Sequence, residues 1–535
     1  MKQFDRTPEA FVSSITFDII MAMSDKNPRE RWGSKLGIIL AVAGSAVGLG
    51  NFLRFPVQAV QNGGGAFMIP YFISFLLLGI PLIWIEWAIG RYGGLFGHGT
   101  APFIFDKLWK NRLLKYFGVI GIFGPIVIFI YYIYIESWLL GYAFFALTGK
   151  LFANITPEAM KSFLSAYQGL SPESNLLTAY IFFLITFAVN TWILYRGIKG
   201  GIEWLCKWAL PVLFIFAIVI VIRVLSLGVP NPAHMDWNIL NGMGFLWNPD
   251  FSVLTEAKVW LAAAGQIFFT LSVGIGVILT YSSYLSHGDD VALSGLTAGA
   301  TNEFAEVILG GSIIIPAAFA FFGPIGAMAA ANSGSFNLGF VTMPLIFGMI
   351  PMGQFFGLLW FALLFLAGLT SSVSLAEPAI AFAKDEFKLD RKKAVAIFAI
   401  ATFILCQPAI FFLGRGVVDE LDFWGGTFCL VVFGLIETIL FGWVFGIDRA
   451  WEEIHHGAEL TIPKFYKFII KYITPLFLIL ILGFWFVQQA IPTILMKGVL
   501  SGNTGYILAT RIGLIAMFIV LAVLVRIAYY RRKTA

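Results

Sequence analysis

The stretch GSAVGLGN, residues 44–51, sits inside the first long apolar run of the chain, between KLGIILAVA and FLRFPV. A helix survives in lipid because its backbone groups bond one another, so three glycines in seven residues, followed by Asn51 and Arg54, are poor helix material. Taken alone, Gly44 and Gly48 form a G-x-x-x-G pair, the ordinary device for packing two helices closely. The other reading is a helix broken at mid-membrane, which bares carbonyls at the end of one half and amides at the start of the next. Those groups bind cations and a carboxylate respectively. Three features favour the break. Asn51 follows the glycines directly, a second interruption, FFTLSVGIG (268–276), carries Thr270, Ser272, Gly274 and Gly276, and a third apolar run holds the polar cluster AGLTSSVS (367–374).

Composition sets the class around this stretch. Of 535 residues, 59% are hydrophobic and only 12% charged, against about 25% charged in soluble domains. A spanning helix needs roughly 20 apolar residues. Twelve such runs are read, near 36–57, 65–91, 117–147, 177–195, 203–226, 259–285, 294–324, 354–383, 392–413, 423–446, 466–493 and 507–530. An even number puts both termini on one side. Lys and Arg gather on that side, in KLWKNRLLK (107–115), KLDRKK (388–393) and RRK (531–533), which predicts cytoplasmic termini and a plasma (bacterial inner) membrane location. The net charge of +5 reflects the same bias, so no nucleic-acid partner is expected. Cys206, Cys406 and Cys429 are far apart, and the five histidines form no metal motif. With no Ser/His arrangement either, an enzyme is not expected.

Residues 1–30 form an N-terminal extension that is neither a cleavable signal nor a span. It is expected to be disordered or to lie on a surface, unless the natural start is Met21 or Met23. Residues 31–226 and 258–446 each hold five runs, separated by an extracellular loop over 227–257, with two more runs and a basic tail over 447–535. Copies of a unit with an odd number of helices insert in opposite orientations, so an all-α membrane protein with a 5+5 inverted repeat is predicted, its first and sixth helices broken.

The segments WGSKLGIILAVAGSAVGLGNFLRFPVQAVQNGGGAF (32–67), GIPLIWIEWAIGRYGG (79–94), IYYIYIESW (130–138), GQIFFTLSVGIG (265–276), NEFAEVILGG (302–311), AGLTSSVS (367–374) and LDFWGGT (421–427) resemble the neurotransmitter:sodium symporter family, and most its bacterial leucine-transporter branch. The resemblance implies the LeuT fold and sodium-coupled import of an amino acid with two sodium ions. The first ion would be held by Ala46, Asn51, Thr270 and Asn302, with the substrate's own carboxylate as a further ligand, so that each raises the other's affinity. The second would be held by the carbonyls of Gly44, Val47 and Ala367 and the hydroxyls of Thr370 and Ser371. Neutral oxygens suit a monovalent cation that must leave again.

Gly48 stands where relatives carrying amines place an aspartate, so the ligand here must bring its own negative charge. Its carboxylate would meet the amides of Leu49 and Gly50 and the Tyr132 hydroxyl. Its ammonium would meet carbonyls near Ala46, Phe269 and Thr270 and the Ser272 hydroxyl. Ser45, Ile128, Tyr132, Phe269, Ile275, Ser371 and Leu375 would line the side-chain pocket. None of these is charged, which predicts a neutral, apolar substrate. Ser45, Ile128 and Ile275 depart from the leucine-transporter pattern, and leucine, methionine, valine and aromatic side chains stay unranked.

Glu306 stands where chloride-dependent relatives have serine, implying transport without chloride; proton counter-movement and a plain structural acid are its other readings. Arg54 and Asp422 would form an outer gate above a lid of Tyr132 and Phe269. Arg29 and Asp385 would form an inner gate with Trp32, Ser283 and Tyr284. The lipid bilayer and an amino acid are the expected partners, with a second copy of the chain as a candidate. A proton-coupled carrier of the same fold and a non-transporting amino-acid sensor are the competing functions.

Overall fold

The computed structural model describes residues 29–534 except 172, 173 and 175, so the readings of the N-terminal extension before Arg29 lie outside the described residues. The regular structure there is helical throughout, apart from one isolated bridge between Gly64 and Pro249. Besides the shorter apolar helix Ser335–Gly348, the helices that build the bundle, numbered along the chain, are α1 (Lys35–Ala46), α2 (Gly50–Gln61), α3 (Gly65–Leu95), α4 (Leu114–Leu147), α5 (Leu177–Tyr195), α6 (Ile198–Leu225), α7 (Ala257–Leu271), α8 (Val277–Ser282), α9 (Ala292–Asn332), α10 (Gly353–Phe387), α11 (Arg391–Phe411), α12 (Val417–Val444), α13 (Phe465–Ile494) and α14 (Ser501–Lys533). Ten of these are each long and apolar enough to cross a bilayer, and α1 with α2 makes an eleventh when the bent pair is taken as one span. The chain is a multi-pass membrane protein. The run read over 259–285 is present as α7 and α8, each too short to span alone.

Both interruptions have local causes. Ser34 caps α1, its hydroxyl accepting from the Gly37 amide at 3.0 Å, and the helix stops at Val47, whose ψ of 88° leaves the helical region. The axis then turns by 44° into α2. At the second break Ser272, Gly274 and Gly276 all take positive φ. A Cβ on Gly274 would lie 2.4 Å from the Leu430 carbonyl oxygen, and one on Gly276 would lie 2.6 Å from that of Gly121. Left-handed backbone and close approach therefore both demand glycine at these two positions. The freed Gly274 amide donates to the carboxylate of Glu86 on α3.

Packing sorts the helices into a centre and a rim. The most apolar window is 89% buried in α4 and 83% in α10, but 33% in α5 and α6 and 17% in α14. α4 and α10 are thus protein-lined on nearly all sides, and the breaks of α1/α2 and α7/α8 pack beside them. In such a setting, main-chain groups freed from helix bonding face other protein groups and not lipid, the only place where irregular backbone survives at this depth.

Candidate substrate and ion site

The two breaks meet. The Ser272 hydroxyl donates to the Ser45 carbonyl at 3.0 Å, and the Ser371 hydroxyl of α10 donates to the same oxygen at 3.2 Å. Below them Asn51, fully buried, holds its own break in shape: its Oδ1 accepts from the Gly48 amide at 2.8 Å. Its Nδ2 donates to Asn302 Oδ1 at 2.8 Å and to Thr270 Oγ1 at 3.2 Å.

The Asn302 amide is the informative group. The end that accepts from Asn51 lies 3.2 Å from both the Ala46 and the Thr270 carbonyl oxygens. With oxygen there, it faces two further oxygens. With nitrogen there, it faces the Asn51 Nδ2 donor at 2.8 Å. The first orientation leaves three oxygens facing one another, and the second leaves two amide nitrogens face to face while its other contacts, to the two carbonyls and to Thr270 Oγ1, are made. All four residues expected at the first sodium are therefore brought together, and the donor set suits a monovalent ion.

The second expected set is looser. Gly44 packs on Thr370, a Cβ there lying 3.3 Å from Thr370 Cβ. The Thr370 hydroxyl bonds back to Leu366 and Ala367 at 3.1 Å, and that of Ser371 bonds to Ala367 at 2.9 Å as well as to Ser45. Val47 follows Ala46 at the end of α1 and is fully buried. The Thr370 hydroxyl thus turns to its own helix, the usual behaviour of helical Ser and Thr, while that of Ser371 reaches both its own helix and the first break.

All thirteen residues expected to touch substrate line one cavity: Ser45, Ala46, Gly48, Leu49, Gly50, Ile128, Tyr132, Phe269, Thr270, Ser272, Ile275, Ser371 and Leu375. Tyr131, Ser374, Gly426 and Leu430 also line it and were not expected. No charged side chain does. A Cβ on Gly48 would lie 3.0 Å from Ser371 Oγ and 3.4 Å from the Tyr132 hydroxyl, so a side chain at this position would project into the cavity. Phe269 packs over Gly50, where a Cβ would lie 2.7 Å from its ring.

Above the cavity Arg54 lies on the Phe269 ring at 4.4 Å, and Asp422 accepts from the Tyr131 hydroxyl at 2.5 Å. Arg54 and Asp422 form no ion pair within 4 Å among the described residues. On the opposite side the expected contacts are made. Arg29 pairs with Asp385 at 2.7 Å, donates to the Ser283 carbonyl and hydroxyl at 2.7 and 2.9 Å, and covers the Tyr284 ring at 4.7 Å. Trp32 donates to the Tyr281 carbonyl at 2.9 Å. Sequence reasoning missed the neighbouring clamp, in which Glu30 takes Lys384 and Arg391, and Arg391 and Tyr284 share Glu377. Burial pushes the Glu30 carboxyl up, but Arg391 and Lys384 outweigh it and hold it below the usual range.

Glu306 is fully buried against Thr270. It also accepts from Gln266 and Tyr71, both at 2.9 Å, and Tyr71 lies 2.8 Å from the unexpected Glu303. Glu86 was missed too, although a carboxylate inside an apolar run is a signal in itself.

A model of the sodium:neurotransmitter symporter family matches residues 29–162 and 160–531. An uncharacterised sodium-dependent transporter of Methanocaldococcus jannaschii is 32% identical over 522 residues, covering 95% of this chain and 98% of the relative. The sodium-dependent serotonin transporter of Drosophila melanogaster is 26% identical, covering 87% and 78%. The crystal structure of MhsT in complex with L-phenylalanine superposes with a TM-score of 0.72 at 31% identity, covering 85% of this chain and 99% of that one.

Proposed function

The chain belongs to the sodium:neurotransmitter symporter family, and on that premise we propose that it imports a neutral, apolar amino acid by alternating access, with two sodium ions and without chloride. The observation that carries this is the opening at Gly48. The named relatives divide between an amine, serotonin, and an amino acid, phenylalanine. In this chain nothing anionic projects from position 48 into an otherwise uncharged cavity. The ligand therefore supplies the carboxylate, which reaches the main chain of Leu49 and Gly50 and the Tyr132 hydroxyl, and completes the oxygen set of Ala46, Asn51, Thr270 and Asn302. Its ammonium faces the carbonyl-rich end of α7 and the Ser272 hydroxyl.

The second ion is taken by Gly44, Val47, Ala367, Thr370 and Ser371, once the two hydroxyls turn from their own helix. Glu306 supplies a fixed negative charge beside the first ion. In the proposed topology the chain crosses twelve times, α7 with α8 forming the sixth span, with two inverted five-helix units and both termini cytoplasmic. The tied Arg29–Asp385 side and the unpaired Arg54 and Asp422 then describe a transporter closed to the cytoplasm. Closing Arg54 onto Asp422 over Tyr132 and Phe269 and releasing Arg29 completes the cycle.

Uptake into proteoliposomes tests this reading. Accumulation of leucine, methionine, valine or phenylalanine is expected under an inward sodium gradient, unchanged when gluconate replaces chloride. Uptake driven by a pH gradient in sodium-free buffer would point instead to a proton-coupled carrier, and binding without accumulation to a sensor.

A further inference from the structure

The outermost helix offers a site that transport does not use. An apolar groove of about 240 Å3 runs between α4, α11, α12 and α14, lined by residues including Ile130, Leu405, Phe412, Ala509, Gly513 and Met517. Small residues on α14 open it: a Cβ on Gly513 would meet nothing within 4 Å, and Ala509 one turn before is exposed. The Thr510 hydroxyl is spent on the Tyr506 carbonyl at 2.8 Å, which leaves the wall essentially hydrocarbon.

Length and charge say what fits. From Tyr506 at one end to Met517 at the other the groove follows α14 for about 16 Å, close to half of the roughly 30 Å hydrocarbon core. The Tyr506 end carries a cation. Arg415 lies in the turn between Phe412 and Val417, which both line the groove, with its guanidinium 5.4 Å from the centre of the Tyr506 ring. Arg415 is exposed, and that ring is the guanidinium's sole partner among the described residues. Nearby Arg511 by contrast is paired with Glu420 and also donates to the carbonyls of Thr493 and Ile494.

The geometry points to a bound phospholipid, with one acyl chain along the groove and its anionic headgroup against Arg415. A leaflet-deep apolar slot with an unpaired cation at the headgroup level is complementary to that molecule at both ends. Placement in the outer leaflet rests on the topology proposed above; the site itself does not.

Native mass spectrometry of the delipidated protein in dodecylmaltoside, titrated separately with dioleoylphosphatidylglycerol and dioleoylphosphatidylcholine, tests the assignment. One phosphatidylglycerol should be retained on the monomer in preference to phosphatidylcholine. Arg415→Gln should reduce that preference about fivefold, and Gly513→Leu, which fills the slot, should remove the adduct with either lipid. Wild-type adducts on Gly513→Leu would overturn the assignment, as would adducts confined to dimers, which would mean that a second copy covers the groove. Should Gly513→Leu fail to fold, an unchanged lipid preference in Arg415→Gln overturns it alone.

Discussion

In the proposed function, the side chain absent at position 48 sets the ligand's chemistry. A carboxylate there would project between Ser371 and Tyr132, into the space the proposal gives to the ligand's own carboxylate. Gly48→Asp should therefore weaken amino-acid binding by roughly ten- to a hundredfold, the loss of one charge-assisted contact of about 1.5–3 kcal/mol, and should let the matching decarboxylated amine bind. Radioligand displacement reads both. Asn302→Ala removes a buried amide that Asn51 and two carbonyls converge on. Half-saturating sodium should rise about tenfold or more in a sodium titration of binding. At Glu306, removing the fixed charge leaves Tyr71, Gln266 and Thr270 aimed at an anion that is gone. Glu306→Ser should thus make uptake chloride-dependent, while wild-type uptake stays indifferent to gluconate.

Among the elements, the breaks were legible because main-chain freedom has a local signature: the glycines of 44–50 and 274–276 advertise where a helix cannot continue. The clamps were not, because ion pairs such as Glu30 with Arg391, or the capping of Gly274 by Glu86, join positions far apart in the chain and leave no periodic trace. Asp422 illustrates the same limit, since its hydrogen bond here comes from Tyr131, and Arg54 forms no ion pair with it within 4 Å among the described residues. The twofold tie of the N-terminal segment, Arg29 to Asp385 and Glu30 to Lys384 and Arg391, predicts a measurable latch. Spin labels at the exposed positions Arg31 and Lys392 should show a broader distance distribution in Arg29→Ala. Because Glu30 is held below its ordinary value of 4.5, its contribution is fully present above that value and is lost only as pH falls through the lowered one. The distances should therefore stay constant between about pH 8 and pH 5 and spread only in stronger acid.

At the scale of the whole molecule, the centre-and-rim arrangement suits the proposed alternating access. α4 and α10 are buried almost all round, and in the proposed cycle they form the wall against which the broken helices rock. Energetics suit the proposed stoichiometry. Two sodium ions carried with a zwitterion across 100 mV release about 4.6 kcal/mol, enough for roughly a thousandfold accumulation before any sodium gradient is counted. The most direct test of the shared site is equilibrium binding of phenylalanine and of phenethylamine, its decarboxylated counterpart, each titrated in sodium and in potassium. Phenylalanine should bind only with sodium and tighten as sodium rises, and phenethylamine should not bind in either salt. Equal binding of the two ligands, or binding of phenylalanine that ignores the cation, would contradict an ion and a carboxylate held together between the broken helices.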